Sequence, residues 1–88
     1  MMAKDLFVFE SSFELLNIRT KTTWYSLLLN IQRARSDALA HTHLHTGKGF
    51  LQALRDAELI DNMSEGVMGF YLHRAWMGAL ERLKSVEV

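Results

Sequence analysis

Apolar residues recur along most of this chain at intervals of three and four positions, a pattern that predicts amphipathic α-helices. The clearest case is residues 22–40, where one face is apolar and the opposite face is polar. We predict a single helix over this range, capped at its start by the hydroxyl of Thr20 or Thr22. The apolar stripe consists of Trp24, Leu27, Leu28, Ile31, Ala34 and Ala38.

A shorter helix is predicted over residues 49–60, where Phe50, Leu51 and Leu54 share a face. Gly47 and Gly49 lie at its start, and glycine is common where one helix ends and the next begins. Residues 4–16 are ambiguous. Their apolar positions fit one face of a helix, but the run over residues 6–9 also fits a short buried strand.

The last predicted helix, residues 63–84, is apolar on too many sides for so small a chain. Asn62 and Glu65 resemble a capping box at its start. One face carries Met68, Leu72, Ala75, Ala79 and Leu83, whereas bulky apolar residues also spread over the rest. We therefore expect a second chain to cover part of this helix. The expected interface residues are Met68, Phe70, Tyr71, Trp76, Met77 and Leu80.

With 88 residues, the chain is expected to form a single domain, residues 1–88, with one hydrophobic core. The expected fold is all-α, a small domain of three to four helices assembled as a dimeric helical bundle. The absence of proline agrees with uninterrupted helices, and the absence of cysteine excludes disulfides and thiolate metal sites. We expect no membrane span and no signal peptide, which together with the lack of cysteine favours a cytoplasmic protein.

A net charge of zero conceals three differently charged segments. Residues 1–18 sum to −2, residues 19–55 to +5 and residues 56–88 to −3. The basic middle is either a solvated face or a site for anions, including nucleic acid, with Trp24 or Tyr25 as stacking groups. Its candidate binding residues are Lys21, Arg33, Arg35 and Lys48.

The histidines His41, His43 and His45 form the most distinctive local motif. On a strand all three imidazoles would point the same way and could bind zinc, nickel or copper. On a helix only His41 and His45 align, with Asp37 one turn earlier. The alternatives are a pH response and a plain role as cations near a helix C-terminus.

No sequence motif indicates catalysis or a cofactor. Thr46-Gly47-Lys48-Gly49 lacks both the first glycine and the final Ser or Thr of a phosphate-binding loop. An acidic, apolar helix start at residues 64–68 argues against a DNA-reading helix-turn-helix. We therefore expect a non-enzymatic regulator or adaptor that binds itself as a homodimer and another protein, with nucleic-acid binding or a histidine metal module as alternatives.

Overall fold

The computed structural model describes residues 12–86, and throughout this part the secondary structure is helical, without strands. A short 3₁₀ helix, Ser12–Leu15, precedes three α-helices. We label the helices α1 (Ile18–Gln32), α2 (Asp37–Asp56) and α3 (Asn62–Val86). Each packs against the other two, so residues 12–86 form a compact arrangement of three helices. Residues 4–11 of the ambiguous first segment lie outside the described residues.

The core lies where the three helices meet. Ile31 of α1 and Leu72 of α3 are fully enclosed, and Trp24 stacks on the Phe50 ring with centroids 6.3 Å apart. Leu16, just before α1, also reaches the core. The remaining buried apolar side chains are Ala34, Ala40, Leu44, Leu51, Leu54, Ile60, Met68, Ala75 and Ala79.

The prediction of one uninterrupted helix over residues 22–40 was wrong: most of the range is helical, but α1 ends at Gln32 and α2 begins at Asp37. Asn17 caps α1, its side chain accepting the Thr20 N–H at 2.8 Å, so the helix begins before the expected threonine caps. Ser36 caps α2 by accepting the Leu39 N–H at 3.1 Å. A serine followed by an acidic residue is a helix-start signal, and its hydroxyl satisfies an amide that the first turn leaves free.

Gly47 and Gly49 lie inside α2, which corrects the expectation that they separate two helices. Gly47 is buried against α3, and a Cβ built on it would lie 2.5 Å from Leu72 Cδ2. Gly49 has nothing within 4 Å of the equivalent position. Gly47 therefore permits a close approach of two helices, whereas Gly49 has no such contact.

The start of α3 is capped by a neighbouring residue, Asp61, and is also hydrogen-bonded to Ser12, which is remote in sequence. Asp61 Oδ1 accepts the Ser64 N–H at 2.8 Å, so the cap is Asp61 rather than the expected Asn62. Ser12 Oγ accepts the Asp61 N–H at 2.9 Å and lies 2.8 Å from the buried Ser64 Oγ. The backbone N–H of Ser64, followed by its hydroxyl, lowers the pKa of Asp61 below its ordinary value of 3.8.

Two other helix ends are closed by specific contacts. α2 ends in a Schellman motif, in which Leu59 N–H donates to Leu54 O and Glu58 N–H donates to Arg55 O. Glu58 occupies the left-handed position of this motif, with φ of 60°. Arg82 of α3 donates to the carbonyl oxygens of Gln32 and Ala34, both at 2.7 Å, and thereby caps the end of α1.

Candidate interaction surface

The residues expected at an interface divide into three groups in the structure. Met68 is only 3% exposed and belongs to the core, so its assignment to the interface was wrong. Trp76 and Leu80 are half-buried on another side of α3. Phe70, Tyr71 and Met77 are exposed. Part of the apolar surface of this helix is therefore buried within the molecule itself.

The outward side of α3 carries a row of exposed apolar side chains. Met63, Val67, Phe70 and Met77 follow one another at spacings of four, three and seven residues, which places them along one helical stripe. Their exposed fractions run from 46% to 67%, and none of them belongs to the buried core. Sequence reasoning missed Met63 and Val67, although the three–four spacing through Phe70 was visible in the chain.

Helix α1 extends this surface. Tyr25 is 54% exposed and lies across a groove from Val67 and Tyr71 of α3. Leu29, one turn after Tyr25, is also exposed. We define the apolar face as Tyr25, Val67 and Tyr71, which line this groove, together with Leu29 of α1 and the other residues of the α3 row. Its members are Tyr25, Leu29, Met63, Val67, Phe70, Tyr71 and Met77.

The groove between α1 and α3 holds a cavity of about 440 Å³. Its walls are mainly apolar and aromatic, and Leu28 and Tyr71 also line a second depression further along the two helices. The cavity walls include Phe13, Trp24, Tyr25, Leu28, Val67, Met68 and Tyr71, with Glu14 and Ser64 as the polar members. A volume of this size lies within the range of sites that bind small molecules or an inserted side chain.

The four candidate anion-binding residues do not form one compact patch. Lys21 and Arg33 lie near opposite ends of α1, about 18 Å apart along the helix axis. Lys21 pairs with Glu14 at 3.5 Å, Arg35 lies between helices, and Lys48 projects from α2. Of the two candidate stacking residues, Tyr25 is exposed but Trp24 is 2% exposed and committed to the core. The residues are thus spread over separate elements.

The three clustered histidines all lie within α2, so they follow helical geometry. Nε2 of His41 and Nε2 of His45 are 3.0 Å apart, and both rings are exposed. His43 is half-buried on a different side of the helix. The pairing expected for a helix is therefore the one present. Among residues 12–86, no group of three His, Cys, Asp or Glu side chains is arranged to hold a metal ion.

No protein-family model, curated protein or solved structure matches this chain. In the described part of the chain, none of the helices combines the length and apolar character required to cross a membrane.

Proposed function

We propose that this protein is a non-catalytic interaction module, a small adaptor or regulator that forms a homodimer through its apolar face. The observation that carries the proposal is the row Met63, Val67, Phe70 and Met77 on the outward side of α3. Aromatic and methionine side chains are enriched in the cores of protein interfaces. Their exposure along one stripe leaves apolar surface that a partner can cover.

The spacing of the row supports a second copy as the partner. Met63 and Met77 each lie seven residues from Phe70, so the two methionines are placed symmetrically about Phe70, while Val67 is matched by His73. Two α3 helices crossing antiparallel at Phe70 would place Met63 of one protomer opposite Met77 of the other. The charged Arg74 would face Gly66 of the partner rather than a second arginine. Such a contact uses the same patch twice, as a two-fold dimer requires.

The area available also supports pairing. From the exposed fractions, the apolar members on α3 present on the order of 500 Å², near the upper limit for apolar patches on monomers. With Tyr25 and Leu29 of α1, the total approaches the roughly 800 Å² that each partner contributes to a standard interface. The zero net charge adds little repulsion between copies.

Sedimentation equilibrium on the full chain at micromolar concentration tests the proposal, with Phe70→Glu and Met77→Glu as disrupting variants. Leu39→Glu is the matched control, because Leu39 is 46% exposed but lies on α2, outside the apolar face. We expect the unmodified protein and Leu39→Glu to be dimers. Phe70→Glu and Met77→Glu should be folded monomers, with helicity checked by far-ultraviolet circular dichroism.

A monomeric unmodified protein, or a folded Phe70→Glu protein that remains dimeric, would contradict the proposed dimer. A variant lacking residues 1–11 tests the alternative that these residues, rather than a second copy, cover the apolar face. Those residues include the apolar run at 6–9 and precede Ser12 directly. If the full chain is monomeric and dimers form only after their removal, residues 1–11 rather than a second copy cover the face.

A further inference from the structure

The strongest feature outside the apolar face is the His41–His45 pair on α2. Its two Nε2 atoms are 3.0 Å apart, and the rings stand nearly perpendicular, at 84°. One ring can donate its N–H to the lone pair of the other only if the two adopt different tautomers. Both nitrogens are otherwise free of protein hydrogen bonds in the described structure and are reached from solvent.

The geometry points to a two-histidine site for a divalent late transition-metal ion, Cu²⁺ or Ni²⁺ in preference to Zn²⁺. Imidazole nitrogens bind such ions at about 2.0–2.1 Å. At a separation of 3.0 Å, the two nitrogens would subtend an angle of about 90–100° at the metal. That angle fits neighbouring positions of a square-planar or octahedral ion.

A tetrahedral ion would fit less well, because its ligand nitrogens must lie about 3.3–3.4 Å apart. Water would supply the remaining ligands, since no third His, Cys, Asp or Glu in residues 12–86 completes the site. The helix does contribute to binding. Positions i and i+4 share a face, so α2 holds both imidazoles together before the ion arrives.

Trp76 provides a reporter for this site. Its ring centroid lies 6.2 Å from that of His41 and 5.5 Å from that of His73. A Cu²⁺ ion bound to His41 would lie close enough to quench the fluorescence of Trp76. The other tryptophan, Trp24 of α1, is buried against Phe50 of α2, and the Trp76→Phe variant measures its separate contribution to the emission.

The experiment titrates the full chain with CuCl₂ and records calorimetric heat, tryptophan emission and the electron paramagnetic resonance spectrum. We expect one ion per chain with two coordinating nitrogens. His41→Ala and His45→Ala should each weaken binding by on the order of tenfold or more, because each removes one of two coordinate bonds. His43→Ala should bind as the unmodified protein does, and Trp76→Phe should bind equally but lose most of the quenching.

The His43→Ala variant separates the helical pair from a site formed by the local sequence alone. If His43→Ala weakens binding as much as His41→Ala, the ion is held by an unwound His-x-His-x-His segment and the inference is wrong. It is also wrong if His45→Ala leaves the affinity unchanged, or if no ion binds at millimolar Cu²⁺. Because His41 and His45 are exposed, their alanine variants are expected to fold, with circular dichroism as the check.

Discussion

Replacing Gly47 and Gly49 by alanine, one at a time, isolates the energetic role of the close contact between α2 and α3. Both glycines lie within α2, two residues apart, so the intrinsic gain in helix propensity is the same for each. That gain is about 1 kcal/mol. At Gly49, where nothing lies within 4 Å, the full gain should appear as greater stability.

At Gly47 the new methyl group meets Leu72 Cδ2 at 2.5 Å, well inside the roughly 3.5–4.0 Å of a favourable carbon–carbon contact. Leu72 is 1% exposed, so its side chain cannot turn into solvent. Overpacking of this kind costs about 1–3 kcal/mol. After the gain in propensity is subtracted, Gly47→Ala should be neutral to about 2 kcal/mol less stable than the unmodified protein.

Urea denaturation followed by circular dichroism measures the free energy of unfolding of both variants. The values can be compared if the dependence of this free energy on urea concentration is the same in each protein. Gly49→Ala should raise the thermal midpoint by about 4–8 °C. The clash is tested further in a Leu72→Ala background, where Gly47→Ala should no longer destabilise the protein. If Gly47→Ala stabilises the original protein as much as Gly49→Ala does, the close contact does not explain why glycine occupies position 47.

Three further predictions concern the helix ends. Because the pKa of Asp61 is below 3.8 in the folded protein, its contribution to stability is present above about pH 3.8 and is lost as the pH falls through the lowered pKa. The difference in unfolding free energy between the unmodified protein and Asp61→Ala should therefore shrink with acidification, and a constant difference across an acid titration would contradict this. Arg82→Ala should lower the free energy of unfolding by about 1 kcal/mol, because two carbonyl oxygens at the end of α1 lose their donor. Lys84→Ala is the control, and its free energy of unfolding, measured by urea denaturation, should change little. Glu58→Gly should raise stability by up to about 1 kcal/mol, because glycine adopts the left-handed conformation without strain, and Glu58→Val should lower it. If both variants have the thermal midpoint of the unmodified protein, there is no strain at this position.

The final helix was the most accurately predicted element, with an expected range of 63–84 against an observed Asn62–Val86. Its periodicity is long and continuous, and helices of this kind are specified by local pattern. The break between α1 and α2 was missed, because Ala34 and Ala38 continue the apolar spacing across it. Ser36 is a residue type that favours the start of a new helix, whereas the apolar periodicity favours continuing the first one. Which of the two prevails depends on how the helices pack in the folded protein.

The surface was only partly predictable for a related reason. The sequence indicates that the last helix is apolar on several sides, but which sides are covered depends on where α1 and α2 pack. Met68 turns toward the core, whereas Met63 and Val67, which sequence reasoning passed over, turn outward. Similarly, the need for glycine at position 47 can be inferred only from the structure, in which Leu72 packs against it. Such contacts join residues far apart in sequence, and periodicity carries no information about them.

The hydrogen bonds of Ser12 to Asp61 and Ser64 join positions 49 and 52 residues apart. The first turn of α3 therefore does not fray as an independent helix end: opening it requires breaking contacts with a distant stretch of backbone. Amide hydrogen exchange at Ser64 and Glu65 should in consequence report whether Ser12 is in contact with the start of α3, so two backbone protons measure this long-range attachment.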